Sequence, residues 1–318
     1  MKRLVIVVLV SLGAASAFAQ SVGFIEAQAG GPMKLVPLST GVPQTITVTN
    51  ADACSCQAAY DPLSRDAFFV AFPGRIVAVN VQSGAVRSIA VTPPTTIAAL
   101  VWDPFSGKLL GTPGSPSFQV VSIDPFTGAQ QTLLTPSIAD PEFRYLAFDA
   151  GGRRLFVFSS NSAGTQKLNV INLSNGTVNT LSIAAALDYA GMQYDPSTAK
   201  LIVLTAGAGG RQVVSMDPAT GTRQSLVPVP VSTIAAVYGF TFEPFSRTAI
   251  ITGWMGDGRR LAFANIVTGS ITLSSAIGND TNGLVAISPA EAAVPALGPI
   301  AMALLVLTLA ILAVWRLR

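Results

Sequence analysis

The sequence predicts an all-β fold: a six-bladed β-propeller of four-stranded antiparallel blades, with the ring closed by N- and C-terminal strands. Three observations predict it: two independent markers recurring with one period, strand-length apolar runs between them, and strand-like segments at both ends of residues 20–290. The first marker is an aromatic residue, an acid and usually proline: Tyr60-Asp61-Pro62, Trp102-Asp103-Pro104, Phe148-Asp149-Ala150, Tyr194-Asp195-Pro196 and Phe242-Glu243-Pro244. Its acids are 42, 46, 46 and 48 residues apart. The second marker ends in glycine, at Gly84, Gly128, Gly176, Gly221 and Gly269, spaced 44, 48, 45 and 48 apart, with an extra copy at Gly41. A period of about 40 to 50 residues is that of a propeller blade.

In the first unit the strand-length runs are 57–60, 67–72, 75–81 and 85–91. Val, Ile, Phe and Tyr dominate them and turn formers bound each one, the signature of strands. Five units begin near residues 57, 99, 145, 191 and 239, and a sixth is assembled from 22–27, 33–38 and 44–48 with 283–288 as its innermost strand. Joining the two ends in one blade leaves no exposed sheet edge. An acid before proline accepts hydrogen bonds from a turn whose φ the proline presets, and glycine supplies a left-handed position. The recurring acids therefore read as turn residues, not a ring of metal ligands. The aromatics before them read as packing between neighbouring blades. No metal and no cofactor is expected.

Composition excludes several functions. The 318 residues include 19 basic and 16 acidic side chains and no histidine. Without histidine there is no Ser-His-Asp or Cys-His arrangement and no near-neutral imidazole acid or base. Residues 20–299 hold 15 basic and 16 acidic side chains, so nucleic acid has no electrostatic footprint to bind.

The termini read as addresses. Residues 1–19 have a positive start, an apolar run and Ala17-Phe18-Ala19, the pattern of a secretory signal cut by signal peptidase. Residues 294–315 carry no ionisable side chain and precede Arg316-Leu317-Arg318, which predicts a transmembrane helix over about 300–315 with a basic tail. Val294-Pro295-Ala296-Leu297, the apolar stretch and the basic end together resemble bacterial IPTL-CTERM protein-sorting signals, over residues 294–318. That resemblance implies processing by an exosortase-like enzyme and export in a Gram-negative bacterium. The domain would be membrane-anchored in the periplasm or outside the cell, then released to the cell surface or matrix. The repeats resemble the broad class of extracellular propellers of the YVTN, NHL and Kelch kind, which implies architecture and no particular activity.

Both markers fall on one face of such a propeller, and the loops of the opposite face differ from unit to unit. Variable loops on a regular scaffold are where binding resides. Among them Trp254, Asp257, Arg259 and Arg260 combine an aromatic surface, an acid and two guanidiniums, suited to a sugar, a carboxylate or an anionic polysaccharide. A glycine-rich hairpin with solvated charges is the plainer reading of the same residues. Residues 206–211 are rich in glycine but lack the Lys-Ser/Thr end of a phosphate loop. Cys54 and Cys56 read as a local disulfide, a bridge to a partner or, last, a metal site; export favours oxidation. The function this predicts is a non-enzymatic, surface-delivered binding or structural module for polysaccharide, a surface protein or another matrix component. The rival is a carboxylate-dependent lyase or hydrolase using Asp140, Glu142, Asp188, Asp257 or Asp280 at the channel mouth.

Overall fold

The computed structural model describes residues 21–287, apart from 27–32, 38–41, 43, 47–57, 72–73, 114–117, 137–141, 161–165, 184–187, 208–209, 231–233, 235, 256–257 and 278–280. The chain opens with β1 (Ser21–Glu26), β2 (Met33–Pro37) and β3 (Gln44–Ile46). The first blade is β4 (Ala59–Asp61), β5 (Asp66–Ala71), β6 (Arg75–Asn80) and β7 (Val86–Ala90). The second is β8 (Ile97–Asp103), β9 (Lys108–Pro113), β10 (Val120–Ile123) and β11 (Gln130–Leu134). The third is β12 (Glu142–Asp149), β13 (Arg154–Ser160), β14 (Gln166–Asn172) and β15 (Val178–Ile183). The fourth is β16 (Asp188–Asp195), β17 (Lys200–Gly207), β18 (Gly210–Met216) and β19 (Arg223–Val229). The fifth is β20 (Ala236–Glu243), β21 (Thr248–Met255), β22 (Gly258–Asn265) and β23 (Ile271–Leu273), and β24 (Thr281–Ile287) ends the described chain.

All pairing within the sheets is antiparallel, and each blade runs in sequence order from its innermost strand outward. The innermost strands β4, β8, β12, β16, β20 and β24 contact one another in turn around the axis. Apolar side chains on both faces of the second and third strands fill the seams. Phe69, Val77 and Val79 form one such cluster, and Leu201, Val203 and Phe156 belong to another. The marker aromatics lie in these seams. Trp102 of the second blade stacks on Phe68 of the first at 5.9 Å, and Tyr194 of the fourth stacks on Phe156 of the third at 5.4 Å. Phe242 packs in the same way against Ile202 and Leu204 of the fourth blade.

The expected architecture needs correcting in two respects. Six blades were expected, the sixth assembled from both chain ends, whereas the structure has five blades of four consecutive strands each, so by repeat unit the propeller is five-bladed. Between the fifth blade and the first stands a composite sheet, β24-β1-β2-β3, drawn from both ends of the described chain. Its first two strands are not consecutive, so it cannot contain the acid-bearing hairpin that defines the other five. Ser21 pairs with Ile287 and Val22 with Ala286. The second correction concerns the expected transmembrane helix: no helix among the described residues is long and apolar enough to cross a membrane. Residues 300–315, the leader 1–19 and the sorting motif lie outside the described residues.

Candidate functional site

The five marker acids are committed to their own turns. Asp61 accepts from the backbone N–H of Leu63 at 2.9 Å, Asp149 from Gly152 at 3.0 Å and Glu243 from Phe245 at 3.0 Å. Asp103 accepts from Phe105 N–H and the Ser106 hydroxyl, and Asp195 from Ser197 N–H and hydroxyl and from Thr198. No group of three or more metal-ligating side chains occurs among the described residues. Burial pushes the Tyr60 phenol up to about 12, so it stays protonated at neutral pH.

One turn position escaped the sequence reading. The residue four after each acid takes a left-handed backbone: Arg65, Gly107, Arg153, Ala199 and Arg247, with φ between 52° and 63°. From that position Arg153 reaches back across the seam to Asp103 of the preceding blade, at 2.6 Å, and Arg247 does the same to Asp195. Where the fourth blade offers only Ala199, Asp149 is held by Arg154 of its own blade at 2.7 Å. These latches join blades two to three and four to five.

The latches have a pH consequence. Burial alone would raise the Asp103 and Asp195 carboxyls, but hydrogen bonds and charge from Arg153 and Arg247, helped by Ser106, Thr198 and Ser197, hold both below the usual carboxylate range. A depressed folded value stabilises above the unfolded value of 3.8 and is lost as pH falls from there through the folded value. Thermal melts taken from neutral pH downward are expected to show the wild type losing Tm steeply below about pH 4. Joint Asp103→Asn and Asp195→Asn replacement should lower Tm at neutral pH and flatten the acid limb.

The opposite face is organised by a recurrent β-bulge, also absent from the sequence reading. Pairing shifts by one residue between Ile97 and Ala99, Phe143 and Tyr145, Tyr189 and Gly191, and Val237 and Gly239. The extra residue is Ala98, Arg144, Ala190 or Tyr238, each five before its acid, and Gly283 of β24 repeats the pattern. A bulge re-aims a side chain out of the ladder. Tyr238 is 45% exposed, and the Arg259 guanidinium lies 4.0 Å from its ring centroid.

Trp254 is part of the same cluster. The sequence placed it in a loop, but β21 runs on to Met255 and β22 resumes at Gly258, so Trp254 and Arg259 are directly opposed in the ladder. Trp254 remains 38% exposed. The structure thus brings Trp254, Arg259 and the unforeseen Tyr238 together at the start of β20 and the β21–β22 hairpin. Arg260 follows in β22 and donates to the Ser274 carbonyl at 3.5 Å. Asp257, Cys54 and Cys56 lie outside the described residues. So do Asp140 and Asp280, while Glu142 and Asp188 are described only as backbone positions in β12 and β16. The cluster holds two partly exposed aromatic side chains, the Tyr238 ring with the Arg259 guanidinium over one face, and no described carboxylate converges on it.

No protein-family model and no curated protein matches the chain in sequence. Solved structures do match in shape. A chain of a nidogen/laminin complex aligns with a TM-score of 0.66 at 11% identity, over 85% of this chain and 99% of that one. TolB from Acinetobacter baumannii aligns with a TM-score of 0.63 at 13% identity, over 84% of this chain and 67% of that one. The likeness is one of fold. The β-propeller domain of Cps50 (Swd1) from Myceliophteria thermophila adds a third such match, with a TM-score of 0.52, 12% identity and coverage of 84% and 93%. At these identities the neighbours show the propeller class, and the chemistry of the site has to come from this chain's own residues.

Proposed function

We propose that the chain is an exported, non-enzymatic propeller that binds polysaccharide at the Tyr238, Trp254 and Arg259 cluster. The observation that carries the reading is the pair of exposed aromatic rings beside a guanidinium 4.0 Å from one of them. Aromatic faces stack on the C–H faces of sugar rings, and an arginine fork recognises a carboxylate, so uronate-containing glycans are the favoured class. Export through residues 1–19 and sorting through 294–318 belong to the same proposal, because they would deliver the module to where such glycans lie. Titration of acidic and neutral oligosaccharides into the full chain tests it. Trp254→Ala and Tyr238→Ala are each expected to weaken binding about tenfold, about 1.4 kcal/mol, without a change in fold. Absence of glycan binding by the wild type, or full affinity in both variants, contradicts the reading.

A further inference from the structure

The face carrying the acid-bearing hairpins has an asymmetry that turn chemistry does not require. At the third position of the hairpin joining the first and second strands stand Leu63, Phe105, Gly151, Ser197 and Phe245. At the third position of the hairpin joining the third and fourth strands stand Gln82, Phe126, Ser174, Ala219 and Val267. Leu63, Phe105, Phe126, Phe245 and Val267 are each 71 or 72% exposed. All five belong to blades five, one and two, which with the composite sheet form one continuous arc of the ring. Blades three and four make the same turns with glycine, serine and alanine. Arg153 and Arg87 lie over Phe105 and Phe126 at 5.8 and 5.2 Å, yet both rings keep that exposure.

The end of the described chain is in the middle of this arc. β24 runs in the composite sheet from Leu284, beside Gly239, to Ile287, which packs with Ala67 and Tyr60 next to the Asp61 turn. The chain therefore leaves from the hairpin face, and seven residues beyond Ile287 begins the 22-residue segment 294–315 without an ionisable side chain. Charge points the same way. On the arc the carboxylates Asp61, Asp66, Asp103 and Glu243 are buried, whereas Arg65, Arg87, Lys108 and Arg247 are partly exposed, Arg87 and Arg247 as the outer members of ion pairs with Asp66 and Asp195, and Asp124 is a partly exposed carboxylate among them. Protruding apolar tips rimmed by cations fit an anionic lipid surface. A second copy of the same face would set cation against cation.

We propose that this arc is a lipid-docking surface: the five apolar tips seat at the headgroup and acyl boundary of an anionic bilayer, leaving the Trp254 face turned away from the membrane. The proposal does not depend on the ligand at Trp254. It is tested by hydroxyl-radical oxidation of the full chain, read residue by residue by mass spectrometry, with and without phosphatidylcholine–phosphatidylglycerol vesicles. Oxidation of Leu63, Phe105, Phe126, Phe245 and Val267 is expected to fall several-fold on vesicles while Tyr238 and Trp254 stay unchanged. Joint Phe105→Ser and Phe245→Ser replacement should return Leu63, Phe126 and Val267 to their vesicle-free rates. Unchanged oxidation of the tips on vesicles overturns the proposal, as does equal protection of both faces. Protection without vesicles also overturns it, marking a second copy if it grows with concentration and the chain's own tail if it does not.

Discussion

Alanine at Gly128 is expected to destabilise the protein by about 4 kcal/mol, against about 1 kcal/mol for alanine at Gly221. Both glycines end the same marker and share a left-handed backbone, with φ of 73° and 72°. A side chain there costs about 1 to 2 kcal/mol wherever it occurs. The difference lies in the surroundings. A Cβ on Gly221 meets nothing within 4 Å, whereas on Gly128 it would fall 1.9 Å from the Ala90 carbonyl oxygen and 2.8 Å from its carbon. That backbone cannot withdraw cheaply, because the Gly128 hairpin is tied to the first blade. Thr92 N–H donates to the Gly128 carbonyl, and Gln130 N–H donates to the Thr92 carbonyl, both at 2.9 Å. Urea unfolding of the two variants measures the difference, and equal midpoints would contradict the close contact between blades.

The same comparison shows what the sequence made legible. The period, strand count per blade, acid turns and left-handed glycines all follow from local chemistry, because a turn must satisfy its own backbone wherever the blade sits. Packing of Trp102 and Tyr194 between blades was legible for a related reason: a large ring at one position of every unit needs a repeated partner. Gly128 and Gly221, by contrast, are indistinguishable in sequence, since the Ala90 backbone that crowds one of them belongs to the neighbouring blade and has no counterpart within 4 Å of the other.

The candidate site was partly legible. Trp254, Arg259 and Arg260 stand out as aromatic and cationic residues in a variable segment, but they sit in paired strands, not in a loop. Tyr238 carried no signal alone, because a bulge is a matter of register and no residue type demands it. Its recurrence five residues before each acid was available in principle as a fixed offset, though Ala98, Arg144, Ala190 and Tyr238 share no chemistry that would draw attention to it. The arginines at the fourth position after the acid could have been found, since Arg65, Arg153 and Arg247 repeat there. What Arg153 and Arg247 reach lies 50 and 52 residues back, beyond any local rule, whereas Arg65 donates to Gln82 of its own blade. The count of six came from giving the sheet made of two chain ends the rank of a blade, although its first two strands are not consecutive and it lacks the acid-bearing hairpin of the other five.

That composite sheet closes the ring. β24 is the innermost strand between blades five and one; it pairs with β1 along Ser21–Glu26, and Leu284 packs with Ile250 and Leu261 while Ile287 packs with Phe69. Without β24 the ring loses its closure, β1 loses its inner partner and both flanking seams open to water. The most direct measurement compares the thermal unfolding of chains ending at residue 290 and at residue 280. The longer chain is predicted to melt in one cooperative transition, and the shorter to fail to fold or to melt more than about 10 °C lower, in line with the loss of several buried apolar side chains. Equal melting temperatures for the two would contradict a propeller closed by its own ends.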